Sequence, residues 1–81
     1  MHYIYVLQSQ VNGKLYKGST ADLRKRVNEH NAGRVKSTKS SRPWILIYYE
    51  AYQNKTLARK TELFYKTSQG RRQLKNKLGL E

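Results

Sequence analysis

The pair Asn12-Gly13 lies between two runs of strand-forming residues, and it limits the possible folds more than any other feature of this sequence. The run YIYVLQ precedes the pair, and the run KLYKG follows it. Aromatic and β-branched residues favour strands, and Asn-Gly fits the positive backbone angles of a tight hairpin turn. We therefore predict that the chain begins with an antiparallel β-hairpin.

The sequence leaves two registers open for this hairpin. A two-residue turn pairs Tyr16 with Ser9, whereas a four-residue loop over residues 10–13 pairs Tyr16 with Leu7. Side chains alternate along a strand, so Tyr5 shares its face with both possible partners. Either register therefore places Tyr5 and Tyr16 on the same face of the sheet.

The first helix is predicted over residues 21–32. Ser19 or Thr20 can cap its N-terminus, and Asp22 stands in the capping-box position three residues after Ser19. Gly33 supplies a C-terminal stop. This helix would connect the hairpin to the next part of the chain.

The remaining segments predict a loop, one strand and two helices. Residues 33–42 lack periodicity, whereas WILIYYEAY, bounded by Pro43 and Asn54, favours a third strand. A second helix is predicted from the Asn54 cap through Lys66, with Gly70 interrupting it before a short helix RRQLKNKL. The predicted inward side chains are Leu23 and Val27 on the first helix, Leu57, Ala58, Thr61, Phe64 and Tyr65 on the second, and Leu74 and Leu78 on the last.

The element order is thus β-β-α-β-α-α. It indicates an α/β or α+β fold in which helices flank a small, mostly antiparallel three-stranded sheet. The 81 residues are predicted to form a single domain, residues 1–81, with a modest core. Because the chain has no cysteine, neither a disulfide framework nor a thiolate zinc site can stabilise it.

The charge is strongly positive: 17 Lys and Arg face only 5 Asp and Glu, for a formal net charge of +12. This balance favours a polyanionic partner, with nucleic acid first, an anionic membrane second and a plain solubilising surface third. Charge alone does not distinguish DNA from RNA. The cations predicted to contact nucleic acid are Lys17, Arg24, Lys25, Arg34, Lys36, Lys39, Arg42, Arg71 and Arg72.

The N-terminal sequence MHYIYVLQSQ has no basic segment followed by a long apolar segment. No apolar run approaches the roughly 20 residues that a membrane-spanning helix needs. These features predict a soluble, cytoplasmic protein.

Four polar side chains are predicted to meet near the first helix. Arg26 and His30 lie one turn apart beside its apolar stripe, and Tyr5 and Tyr16 share a face of the hairpin. Taken alone, the tyrosine pair is typical of strand packing, and Arg26 and His30 are typical of residues that flank the apolar stripe of a helix.

The chain resembles the GIY-YIG nuclease domain, whose two strand motifs match Tyr3-Ile4-Tyr5 and Tyr16-Lys17-Gly18. Further matches are the helix Arg26-x-x-x-His30, the strand RPWILIYYE and the segment 58–66, which contains Glu62. The resemblance covers almost the whole chain, and it is strongest to small stand-alone bacterial members. Two positions depart from the pattern, because Tyr3 replaces the first glycine and Lys17 replaces a central apolar residue.

The resemblance implies a three-stranded antiparallel sheet and hydrolysis of a DNA phosphodiester with one divalent ion, Mg²⁺ or Mn²⁺. In that scheme Tyr5 and Tyr16 are the motif tyrosines, Arg26 and His30 are catalytic, and Glu62 and waters hold the metal. With so few carboxylates in the chain, one hydrated ion also fits better than a two-metal site. A partner protein could supply targeting.

The residue chemistry agrees with these roles. Tyr16 is our first choice of base and Tyr5 the second, because nearby positive charge can lower a tyrosine pKa from about 10. Arg26 can bind the scissile phosphate with two hydrogen bonds, and His30 can position water or protonate a leaving group.

Three alternatives remain open at this point. Glu62 could simply pair with Arg59 or Lys66 on an exposed helix. The chain could be a nucleic-acid-binding module with little or no hydrolytic activity, or a basic protein associated with RNA or ribosomes.

Overall fold

The computed structural model describes residues 1–80, which form an antiparallel sheet with helices on both faces. The strand order is β2-β1-β3, so β2 is an outer strand. This arrangement confirms the predicted α+β class and element order. The elements are β1 (His2–Ser9), β2 (Leu15–Thr20), α1 (Leu23–Asn31), a 3₁₀ turn (Lys39–Ser41), β3 (Trp44–Tyr52), α2 (Lys55–Tyr65) and α3 (Ser68–Leu78).

The hairpin adopts the register of the four-residue loop. Leu7 pairs with Tyr16, and the Ser9 amide donates to the Lys14 carbonyl at 2.9 Å to close the loop. Gly13 takes a φ of 74°, a conformation that glycine adopts without strain. The longer loop brings Tyr16 close to Tyr5.

Helix α1 begins later than predicted, because its cap is Asp22 rather than Ser19 or Thr20. The Asp22 carboxylate accepts a hydrogen bond from the Lys25 amide at 3.1 Å. Both earlier candidates remain in the extended strand β2. Beyond the helix, Gly33 has a φ of 79° and stops it as expected.

The predicted interruption at Gly70 is wrong. Gly70 lies in the first turn of α3, where its amide donates to the side chain of the N-cap Thr67 at 3.0 Å. A Cβ atom at this position would lie only 1.8 Å from the Phe64 carbonyl oxygen. The glycine therefore allows α3 to pack closely against the end of α2, and α3 starts before Arg71.

Each face of the sheet has its own apolar core. On one face α1 packs Leu23 and Val27 against Tyr5, Leu7 and Trp44, which are buried. On the other face α2 and α3 cover a second cluster: Ile4, Val6, Ala58, Tyr65 and Leu74. We call these the α1 face and the α2/α3 face.

The inward set predicted for α2 is partly wrong. Leu57 and Phe64 are 47% and 37% exposed, whereas Glu62 is buried together with Ala58 and Tyr65. The residues at positions 58, 62 and 65 follow the i, i+4, i+7 spacing of one helix face, so a carboxylate faces the sheet. Within residues 1–80, none of the helices is long and apolar enough to cross a membrane.

Candidate active site

Tyr5 and His30 form the buried centre of the candidate site. Tyr5 lies on the central strand β1 and is 1% exposed, and His30 lies in the last turn of α1 with no exposed surface. The Tyr5 hydroxyl and the His30 Nε2 atom are 2.8 Å apart. On the other side of the ring, Nδ1 lies 2.8 Å from the hydroxyl oxygen of Thr38.

The contacts of Thr38 indicate where the protons lie. Its hydroxyl also donates to the Val35 carbonyl at 3.3 Å, so its single proton is engaged there and its oxygen accepts from Nδ1–H of His30. The other ring nitrogen, Nε2, then accepts from the Tyr5 hydroxyl. Burial lowers the pKa of His30, and the charge of Arg26 lowers it further. The ring is therefore a neutral acceptor for Tyr5.

Arg26 brings positive charge to the Tyr5 hydroxyl. Its guanidinium hydrogen-bonds to Tyr5 and forms an ion pair with Glu29 at 3.1 Å. The arginine side chain is 37% exposed, so part of it remains available to a ligand. Helical spacing places Arg26 and His30 on the same side of α1, over the two tyrosines.

The expectation that positive charge lowers the tyrosine pKa does not hold for Tyr5. Burial raises the pKa of Tyr5 to about 12, although the hydrogen bond from Arg26 acts in the opposite direction. Loss of hydration disfavours the phenolate more than one arginine stabilises it. Tyr5 therefore keeps its proton at neutral pH.

Tyr16 occupies a more open position in the same group. Its ring centroid lies 5.0 Å from that of His30, 6.4 Å from that of Tyr5 and 6.3 Å from that of Trp44. The residue is half-buried, and within residues 1–80 its hydroxyl makes no hydrogen bond. Of the two motif tyrosines, Tyr16 has the hydroxyl that a substrate can reach.

Gly18 makes room for the Tyr5 ring at the outer strand. The two residues are Cα partners across β1 and β2. A Cβ atom on Gly18 would lie 2.5 Å from the Tyr5 hydroxyl oxygen and 2.7 Å from the ring carbon that bears it. The glycine therefore fixes the position of the hydroxyl that contacts His30.

Glu62 approaches the same outer strand from the α2/α3 face. Its carboxylate accepts hydrogen bonds from Lys66 at 3.0 Å and Arg59 at 3.5 Å, and from the Ser19 hydroxyl on β2. Burial raises its pKa, but these groups outweigh burial, so the pKa of Glu62 is lowered and the group is ionised. The negative charge of Glu62 also raises the pKa of Tyr5, so the two groups interact electrostatically.

The alternative of a simple ion pair for Glu62 is thus half correct. Both pairs that the sequence suggested, with Arg59 and Lys66, are present. The carboxylate itself, however, is only 5% exposed. Burial of a charged group beside an outer strand is costly and is typical of functional sites.

The residues around Glu62 fit one hydrated divalent ion better than a site made wholly of protein ligands. Mg²⁺ prefers oxygen ligands and keeps several waters, and an ionised carboxylate beside the Ser19 hydroxyl provides such ligands. Among residues 1–80 no three His, Cys, Asp or Glu side chains lie close enough to hold a metal ion.

The predicted nucleic-acid-binding cations fall on different surfaces. Lys17 lies on the α2/α3 face, where its ammonium contacts the Tyr65 carbonyl at 3.4 Å, so it does not reach the tyrosine pair. Arg71 lines a groove with Lys17, and Arg72 is exposed on the same helix. The others lie on α1 or on the loop that follows it: Arg24, Lys25, Arg34, Lys36, Lys39 and Arg42.

Sequence reasoning missed Thr38 as a member of this site. Thr38 is 1% exposed, it contacts His30, and its carbonyl accepts from the Trp44 indole at 2.9 Å. It lies in a loop without periodicity, so no pattern in the sequence marks it as buried.

Comparison with known proteins agrees with this architecture. The family model described as the GIY-YIG catalytic domain matches residues 1–76. The chain is therefore a member of the GIY-YIG domain family, a family of nucleases that are generally metal-dependent.

Its relatives include small bacterial UPF0213 proteins. One from Staphylococcus haemolyticus is 37% identical over 75 residues, covering 91% of this chain and 90% of that protein. One from Bacillus pumilus is 43% identical over 67 residues, covering 82% of this chain and 67% of that protein. The solution NMR structure of a UPF0213 protein from Bacillus halodurans is 30% identical, with a TM-score of 0.55, and covers 90% of this chain and 80% of that one.

Proposed function

We propose that this protein is a metal-dependent DNA endonuclease that acts on branched, damaged or single-stranded DNA. The observation that carries the proposal is the grouping of Tyr5, Tyr16, Arg26 and His30 on the α1 face, beside an outer strand that Glu62 contacts from the other face. Phosphodiester hydrolysis needs a base, positive charge at the phosphate and a stabilised leaving oxygen. This group of side chains can supply the first two.

In this mechanism Tyr16 first loses its hydroxyl proton to solvent, and the resulting phenolate then accepts the proton of the attacking water. Its hydroxyl is accessible, whereas the Tyr5 hydroxyl is bound to His30 and has a pKa of about 12. Arg26 binds a non-bridging oxygen of the scissile phosphate with the exposed part of its guanidinium.

His30 acts through Tyr5 rather than on the substrate. Both of its ring nitrogens are engaged, by Tyr5 and by Thr38, and the ring is fully buried. The ring therefore orients the Tyr5 hydroxyl, which can then accept from Arg26 and hold that guanidinium toward the phosphate. In this role His30 does not itself protonate the leaving group.

Glu62 would hold the divalent ion together with waters. The ion, when bound, would stabilise negative charge on the phosphate and on the leaving oxygen. For its part, the carboxylate stays ionised because Lys66 and Ser19 donate to it and Lys66 and Arg59 lie close to it. Each oxygen of the Glu62 carboxylate has two lone pairs, so one lone pair is left for the ion when the hydrogen-bond partner uses the other.

The test compares two carboxylates of the same chain. Purified protein is incubated with Mg²⁺ or Mn²⁺ and three substrates: supercoiled plasmid, circular single-stranded DNA and a flapped duplex. We expect metal-dependent cleavage of at least one substrate, and a loss of about 10²-fold or more for Glu62→Gln. The matched control is Glu50→Gln, which alters a carboxylate on β3 that hydrogen-bonds to Tyr52 and Tyr65.

Several outcomes would contradict the proposal. Absence of cleavage on all three substrates with either metal, or equal cleavage by wild type and a Glu62→Gln, Tyr16→Phe, Arg26→Ala triple variant, rules out the enzyme. Salt-dependent DNA binding without cleavage, unchanged in the triple variant, would instead support a binding module of the same fold.

A further inference from the structure

A basic groove lies on the α2/α3 face, on the side of the sheet opposite the tyrosine pair. The β1–β2 hairpin and α3 form its walls, and its volume is about 500 Å³. Four cations line it, and three leucines give it an apolar floor. The cations are Lys14, Lys17, Arg71 and Lys75, and the leucines are Leu15, Leu74 and Leu80. Within residues 1–80, no carboxylate lines this groove.

Lys17 has no carboxylate partner within residues 1–80. Its only hydrogen bond within residues 1–80 is to a backbone carbonyl, that of Tyr65, at 3.4 Å. Burial lowers its pKa, and the charges of Arg71, Lys66 and Lys75 lower it further. Lys17 thus lies among three like charges in the free protein. A bound anion would relieve this repulsion.

The groove continues from the candidate metal carboxylate. Lys66 contacts Glu62 at 3.0 Å, and its charge is also one of those that act on Lys17. Lys17 lies two residues before Ser19 on the same strand, and the Ser19 hydroxyl donates to Glu62. Within residues 1–80, a polyanion held at Glu62 could therefore extend along β2 into a groove that no carboxylate lines.

We propose that this groove binds the sugar–phosphate backbone of the DNA strand beyond the phosphate that is cleaved. This inference rests on the proposed function, because it assigns a second contact surface to the same substrate. Lysine and arginine side chains bind phosphates without reading bases, and each contact releases counterions from the DNA. The groove therefore adds affinity for every DNA sequence alike.

The test measures equilibrium binding without cleavage. The full chain, in EDTA, is titrated with a fluorescently labelled single-stranded 20-mer and with the same sequence as a duplex, over a series of salt concentrations. One variant carries Lys17→Met, Arg71→Gln and Lys75→Gln in the groove. A matched variant removes the same charge from the loop after α1, on the other face, through Arg34→Gln, Lys36→Gln and Lys39→Gln.

We expect the slope of log affinity against log salt to fall by about 2 to 3 in the groove variant, since each lost phosphate contact removes about 0.7 to 0.9. The loop variant, whose cations are also predicted to contact nucleic acid, should lose less than the groove variant does. Lys17→Met keeps the apolar stem and removes a disfavoured charge, so circular dichroism should show a folded groove variant. Lys17→Met alone should lower the slope by about 0.7 to 0.9.

Equal losses in the two variants, or a larger loss in the loop variant, would overturn the inference. Groove-dependent binding of polyglutamate as tight as that of DNA would also overturn it, because the groove would then recognise an acidic polypeptide. Cleavage is scored separately with metal present. An active enzyme with no groove contribution contradicts only this inference, whereas groove-dependent binding without cleavage contradicts only the endonuclease.

Discussion

Two clusters of tyrosines, on opposite faces of one small sheet, show how partners determine what this side chain can do. The His30 cluster, on the α1 face, consists of Tyr5, Tyr16 and His30 with Arg26 beside them. The Glu50 cluster, on the α2/α3 face, surrounds one carboxylate of β3 with hydroxyl and ammonium donors. Its members are Glu50, Tyr48, Tyr52, Tyr65 and Lys77.

The hydroxyl and ammonium groups of the Glu50 cluster all donate to the same carboxylate. Its carboxylate accepts from Tyr52 at 2.6 Å, from Tyr65 at 3.1 Å, from Lys77 at 3.2 Å and also from Tyr48. Burial raises the pKa of Tyr48 to about 12, and the hydrogen bond to Glu50 acts in the same direction. These contacts join β3 to α2 and α3, so the cluster stabilises the fold and leaves no base for chemistry.

The His30 cluster differs because one of its hydroxyls is left free and a cation stands nearby. Tyr5 is engaged by His30, but the Tyr16 hydroxyl has no partner within residues 1–80. A phenol can serve as a base only if it can lose its proton, and nearby positive charge favours that loss whereas a carboxylate opposes it. We therefore propose that the base lies in the His30 cluster, whereas the Glu50 cluster stabilises the fold.

The largest effect should come from Tyr16→Phe. Removing a general base lowers a rate by about 10² to 10⁴-fold, and this hydroxyl makes no contact whose loss would destabilise the fold. Tyr52→Phe is the matched change in the Glu50 cluster, and it should leave the rate of cleavage near that of wild type. Single-turnover cleavage with Mg²⁺ or Mn²⁺ measures both, and equal rates for the two variants would contradict the assignment.

The next largest effect should be a loss of stability in Glu50→Ala. Its loss leaves three tyrosine hydroxyls and one ammonium without their common acceptor, so the free energy of unfolding should fall by about 2 to 4 kcal/mol. Urea unfolding followed by circular dichroism measures this change. A loss below about 1 kcal/mol would show that the Glu50 cluster does not hold α3 on the sheet.

The smallest effect should be a pH dependence of stability caused by His30. Its pKa in the folded protein lies below the ordinary value of 6.5, first because of burial and then because of Arg26. The unfolded chain therefore takes up the proton first as pH falls, and stability should be complete above pH 6.5 and decline below it. The pKa values of the carboxylates Glu50 and Glu62 are also lowered, so the stability that they contribute is lost only as the pH falls below their ordinary value of 4.5.

Urea unfolding from pH 7.5 to pH 5 measures the contribution of His30. In a His30→Gln variant, compared with wild type over the same range, the decline that begins near pH 6.5 should disappear. If wild type and variant show the same slope, the buried ring is not the group that titrates. His2 is the only other histidine in the sequence, so His2→Gln serves as the control.

Local sequence signals were enough to predict most of the fold. Asn12-Gly13 marked the hairpin, and alternation along β1 placed Tyr5 and Tyr16 on one face. The signals failed where packing overrode local preference. Gly70 was interpreted as a break because glycine is a poor helix former, but α3 needs the space that its missing Cβ leaves beside Phe64.

The sequence predicts that Tyr5, Tyr16, Arg26 and His30 lie together, but it does not predict the contacts that set their chemistry. Glu62 could be chosen by resemblance, yet its burial could not be predicted, because the apolar Leu57 and Phe64 suggested a different inward face for α2. Which tyrosine has a free hydroxyl depends on Thr38, which reaches His30 from a loop without periodicity. Such a contact between distant segments has no local signature in a sequence.

The position of Lys17 on an outer strand has a consequence for how this protein behaves at high concentration. Strand β2 has a neighbour on one side only, so its other edge presents backbone donors and acceptors that a second chain could pair with. A charged lysine in the middle of such an edge opposes the stacking of strands from different molecules, because like charges would be brought together. A residue that departs from the family pattern is thus expected also to disfavour association of this edge with a second chain.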